Sequence, residues 1–124
     1  MPYITSWEEK GICWQLSGVV SSREIFEFTN AFYENPKSDT IKYQIVDCLN
    51  VERFELDEFT MTEIAALDYA ASLSIHNLKV ALVGKAPHIK IINEDYVKNS
   101  NSFSSTWVVK IFDDMKSARA WLSS

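Results

Sequence analysis

Ile41-Lys42-Tyr43-Gln44-Ile45-Val46-Asp47-Cys48 opens the stretch whose reading decides the fold. Its β-branched and apolar residues predict a strand. An alanine-rich segment over residues 57–75 follows and predicts a helix. Leu78-Lys79-Val80-Ala81-Leu82-Val83-Gly84 then predicts a second, short apolar strand that ends in glycine. Two strands joined by a long helix are expected to lie parallel, because an antiparallel pair needs only a hairpin. The crossover between them is expected to be right-handed.

Working outward, Ile12-Cys13-Trp14-Gln15-Leu16-Ser17-Gly18-Val19-Val20 alternates. Ile12, Trp14 and Leu16 share one face and Cys13, Gln15 and Ser17 the other, the period of a half-buried strand. A short strand over residues 3–8 precedes it, with Gly11 at the turn. Ser21-Ser22-Arg23-Glu24 matches a capping box, and Val20 with Ile25 is placed to form the hydrophobic staple. The helix that follows carries Ile25, Phe28 and Phe32 on one face, flanked by Phe26, Thr29 and Tyr33, and ends at Asn35-Pro36.

Asp57 or Thr60 starts the second helix, where Thr60-Met61-Thr62-Glu63 with Phe59 and Ile64 repeats the box-and-staple pattern. Pro87 opens a third helix through Ile89, Ile92 and Tyr96. A polar loop is predicted over residues 99–105 and a last strand over residues 106–112. Asp113 or Asp114 then caps a final helix with Ala118, Trp121 and Leu122. Alternating strands and helices predict an α/β fold with a largely parallel sheet, in one domain over residues 1–124. Helices are expected mainly on one face, with Gln15, Lys42, Gln44, Lys79 and Lys110 on the more open one.

A chain of 124 residues with 47% apolar and 23% charged residues has the composition of a folded globular domain. The net charge of −5 argues against neutralising a phosphate backbone or an anionic membrane surface. No nucleic-acid partner and no membrane insertion are therefore expected. The residues after Met1 carry no basic flank followed by an apolar core, so no signal peptide is expected. Cys13 and Cys48 form no CxxC spacing and read as reduced thiols in a cytoplasmic protein.

The order of elements resembles the SpoIIAA-like fold of STAS domains, shared at fold level with CRAL-TRIO lipid-binding domains. It looks most like a family of small bacterial SpoIIAA-like proteins of unassigned function. The residues that carry the resemblance are Trp14 to Val20, Lys42-Tyr43-Gln44-Ile45-Val46-Asp47, Ile64-Ala65-Ala66-Leu67-Asp68, Leu78-Lys79-Val80-Ala81 and Ala118-Arg119-Ala120-Trp121-Leu122. It implies a two-layer fold and an interaction module. Anti-sigma factor antagonists carry a phosphorylated hydroxyl in an Asp-Ser-Ser-Gly or Asp-Ser-Thr-Gly motif at the start of the second helix. Here Leu56-Asp57-Glu58-Phe59 stands in that place, with no serine after Asp57.

No catalytic or metal-binding constellation is legible, and no cofactor is expected. Asp47, at a strand end where parallel sheets bind ligands, has no visible partner for acid–base chemistry and suits an Asx turn. Gly84-Lys85-Ala86-Pro87 lacks a phosphate-loop framework, and His76 and His88 have no partner ligand at metal spacing. The first functional expectation is a non-catalytic protein-interaction or regulatory module with an unidentified protein partner. Its surface would run through Asn50, Phe54, Asp57, Glu58, Phe59, Met61 and Thr62, with the apolar members as anchors beside acidic ones. The alternative is a binding protein for a small apolar or lipid-like ligand, with Asp47, Phe26, Tyr33, Phe54, Tyr96 and Phe103 at the site. A homodimer is left open.

Overall fold

A computed structural model of the chain describes residues 3–103 and 105–124. Five strands form one sheet in the order β1-β2-β3-β4-β5: β1 (Tyr3–Trp7), β2 (Gly11–Ser21), β3 (Tyr43–Glu55), β4 (Lys79–Val83) and β5 (Val108–Phe112). β1 pairs with β2 antiparallel, and every later pair is parallel, including β3 with β4 as the opening stretch predicts. The helices are α1 (Ser22–Glu34), α2 (Thr60–Ser72), α3 (Pro87–Asn101) and α4 (Met115–Leu122), with a single 3-10 turn at Pro36–Asp39.

Spatial order follows chain order, and that places the helices. Right-handed crossovers that step across a sheet in one direction all land on the same face. α1, α2 and α3 are those crossovers, and they bury one core with Ile12, Trp14, Leu16, Val80 and Leu82 of the strands. α4 follows the last strand and crosses nothing, so the rule leaves it free. It packs on the opposite face, where Ala118 meets Cys13, Ile45, Ala81 and Val83. The second face is therefore less open than the alternation predicted.

The side chain of Arg119, on α4, grips Glu8 after β1 in a two-point ion pair, with Nη1 to Oε1 at 2.6 Å and Nη2 to Oε2 at 2.7 Å. Tyr43 Oη also donates to Glu8. Gln44 corrects the expected open face: it is buried, and it shares the helix-covered side with Val46 and Cys48.

The largest departure from expectation is the length of β3, which continues through residues predicted as loop. β2 has 11 residues and β3 has 13 across the same span. Gln15 faces Asp47 and Ser17 faces Asn50; Gly18 then faces Val51 and Val19 faces Arg53. Each shift inserts one extra β3 residue, as a bulge does. Asp47 Oδ1 holds the first by accepting from the Leu49 N–H at 3.0 Å, the local bond expected of a strand-end aspartate. Opposite the second, Gly18 adopts φ 66°, a conformation other residues resist.

The bulges keep β3 facing the core. Gln44, Val46 and Cys48 are two residues apart, whereas Val51 and Phe54 follow at intervals of three, and all five pack on the same side. The capping box forms as predicted, with Ser21 as N-cap and Glu24 bonding back to its backbone. α2 begins after Phe59, which makes no side-chain cap. α3 runs through Asn101, into the predicted polar loop.

Candidate ligand-binding cavity

Between the sheet and α1–α3 lies a cavity of about 80 Å³. Rings from the sheet and the helices line it: Trp14 of β2, Phe28, Phe32 and Tyr33 of α1, Phe54 of β3 and Tyr96 of α3. Trp14 sits against two phenylalanines of α1, with centroids 4.9 Å from Phe28 and 5.6 Å from Phe32. Aliphatic side chains, among them Leu16, Ile25, Val80 and Leu82, add to the wall.

One acid breaks this apolar lining. Thr60, Ile64, Asp68 and Ser72 follow one another at four-residue intervals along the buried stripe of α2, and Asp68 thereby points inward. Tyr33 Oη donates to its Oδ1 and Tyr96 Oη donates to its Oδ2, so one carboxylate joins α1, α2 and α3. Burial pushes the Asp68 carboxyl up to about 6, while the two tyrosine hydrogen bonds act against that rise. Burial first, and then the charge of Asp68, raises both phenols above their ordinary value.

Asn93 of α3 stands on the same wall, 4% exposed, and its Nδ2 has no hydrogen-bond partner among the described residues. Thr29 and Gln44 add two further buried polar side chains. Cys48 lines the cavity as a neutral thiol, because burial, and secondarily Asp47, pushes its pKa to about 12. A second clasp closes α1 on α2 at the other end. Ser22 Oγ lies 2.7 Å from Thr60 Oγ1 and accepts from the Asp57 N–H at 2.8 Å.

Of the residues expected at a ligand site, Tyr33, Phe54 and Tyr96 line this cavity. Phe26 packs on the core without reaching the cavity wall. Phe103 stacks on Tyr69 instead, 5.4 Å between centroids. Asp47 alternates with Val46 and Cys48 and so points to the opposite side of the sheet. The continuous partner surface over residues 50–62 is also corrected. Asn50 and Phe54 belong to a strand, and Phe54 and Met61, taken as anchors, turn into the cavity. Asp57, Glu58, Phe59 and Thr62 stay exposed, and Thr62 Oγ1 donates to Asn99 Oδ1 at 2.8 Å.

Asp68 and Asn93 escaped the sequence reading. For Asp68 a signal existed, since an acid recurs in phase with Thr60 and Ile64 on the stripe that must face the sheet. Asn93 carried the same signal, four residues after Ile89 and three before Tyr96 on the buried stripe of α3.

No family model matches the chain, and no curated protein matches it. Among solved structures it is similar to an uncharacterised protein of the DUF3478 family from Shewanella loihica PV-4, described as having a SpoIIAA-like fold. The TM-score is 0.57 and the identity 14%, over 97% of this chain and 91% of that one. At this identity the likeness is one of fold.

Proposed function

We propose, from the SpoIIAA-like fold of this chain, that it is a non-catalytic binding protein for a small molecule with a compact apolar body and one polar end. The observation that carries this reading is the buried Asp68 carboxylate, hydrogen-bonded to Tyr33 and Tyr96, in a mostly apolar cavity that also holds an Asn93 amide with no partner among the described residues. Ligand sites combine apolar walls with a few convergent polar groups in this way. A void of about 80 Å³ holds only a small ligand or the end of a larger one.

Chemistry at the cavity lacks support from its residues. The Cys48 thiol is far from ionising, and both oxygens of Asp68 are already engaged by phenols. A cytoplasmic location fits two cysteines held on opposite sides of the sheet, one in each core.

The test is a thermal-shift and NMR screen of small apolar and amphiphilic compounds against wild type and Val80→Phe, which fills the cavity from its sheet side. Binding to wild type that the filled variant loses supports the reading. Binding unchanged by the substitution, or no binder at all, overturns it. The interaction-module reading keeps one observation in its favour, Phe59, which is 61% exposed next to Asp57 and Glu58. Capture of one defined protein by wild type and not by Phe59→Ala would support it.

A further inference from the structure

We propose that the ligand is a small amine, bound as its ammonium ion with Asp68 as counter-ion and the aromatic wall around it. This rests on the binding reading above and names the chemical class of the ligand. A buried carboxylate is ordinarily paired with a cation. Asp68 meets only Tyr33 and Tyr96, and no lysine, arginine or histidine among the described residues contributes to its surroundings. Each of its oxygens accepts one phenolic proton and keeps a second acceptor direction. An ammonium group supplies three donors and the missing charge.

The rest of the cavity suits a cation as well. Trp14, Phe28 and Phe32 bring three ring systems to the same small space, and aromatic faces attract ammonium groups, most strongly when water is excluded. The net charge of −5 favours cationic over anionic visitors. Asn93 Nδ2 is a donor without a partner, and an oxygen on the same ligand would satisfy it. A short amino alcohol therefore matches the cavity more completely than a plain alkylamine does.

The experiment compares three probes of nearly equal size by protein-observed NMR titration at pH 7.5: 1-amino-2-propanol, 2-butanol and lactate. The amine and 2-butanol differ only in an ammonium against a methyl group. We expect the amine to bind at least about tenfold more tightly than 2-butanol, from one charge-assisted contact and the aromatic wall. Lactate should not bind. Asp68→Asn should remove the preference for the amine over 2-butanol, since the charge-assisted contact is lost. Should that variant fail to fold, Trp14→Leu serves instead, and must weaken the amine more than 2-butanol. Equal affinity for the amine and 2-butanol, or preference for lactate, overturns the amine assignment and leaves the cavity reading standing. Silence from all three probes, together with an empty result in the broader screen, overturns both.

Discussion

Asp68 is held by two phenols that cannot both be replaced cheaply. Removing one hydroxyl with Tyr33→Phe leaves a buried carboxylate oxygen short of a donor, a loss of about 1–3 kcal/mol. The same substitution removes a bond that favours the ionised form, so the Asp68 carboxyl should titrate higher still. Denaturant unfolding measures the first effect and carboxyl-carbon NMR the second. Stability against pH gives a separate check. Asp68 titrates at about 6 in the fold and about 4 unfolded, so between these values the native state holds the extra proton. Its contribution is complete below about pH 4 and lost as pH rises through about 6, on the order of 3 kcal/mol in all. The groups facing it are Tyr33 and Tyr96, which titrate far above this window. Subtracting the profile of Asp68→Asn isolates the effect from Glu8, Glu24 and Asp114, whose lowered values work in the opposite direction. A difference between the two profiles that stays flat from pH 4 to 6 would contradict the assignment. Of this site, the aromatics Tyr33, Phe54 and Tyr96 were legible as large residues in search of a core. Their convergence on one acid was not, since it depends on how three helices sit relative to one another.

At the scale of elements, the β2–β3 pair explains where reading by periodicity succeeds and fails. The β3 run from Tyr43 to Cys48 alternates with the pleat and was legible. Beyond Cys48 each bulge shifts the phase, so Val51 and Phe54 fall out of the period of two and the segment reads as loop. Two glycines test this pair by different physics. A side chain at Gly18 would meet nothing within 4 Å, but its φ of 66° disfavours any Cβ, so Gly18→Ala should cost about 1–2 kcal/mol through the backbone alone. At Gly11 a Cβ would collide with the Tyr43 ring, so Gly11→Ala must displace that ring from Glu8, at about 1–3 kcal/mol. Pairing Gly11→Ala with Tyr43→Leu should recover part of its loss, whereas the same partner should do nothing for Gly18→Ala. Equilibrium unfolding of the three single and two double variants decides the matter.

For the whole molecule, the parallel pairing of β3 with β4 followed from one legible βαβ unit, and the shared face of α1–α3 fits the handedness of crossovers that step one way across the sheet. The position of α4 did not, because a helix after the last strand is bound by no such rule. What fixes it is the apolar strip of Cys13, Ile45, Ala81 and Val83, together with the grip of Arg119 on Glu8. Burial, and then the charge of Glu8, holds the Cys13 thiol up to about 11. A chain ending at Asp113 should therefore expose Cys13 to a thiol reagent at neutral pH while Cys48, under the other three helices, stays slow. Labelling followed by peptide mass analysis distinguishes the two cysteines. Equal and slow labelling of both would mean that α4 is not what covers Cys13.

Because the sheet order follows the order of synthesis, each new βα unit can add to an edge strand that has already been translated. The strip that α4 seals belongs to the face that α1–α3 leave uncovered. A chain in which β1–β5 and α1–α3 had docked before α4 would have one face finished and the other apolar and thiol-bearing. Such a stage, ended by the arrival of residues 115–122, is when a chaperone would have most to hold and a neighbouring chain most to stick to.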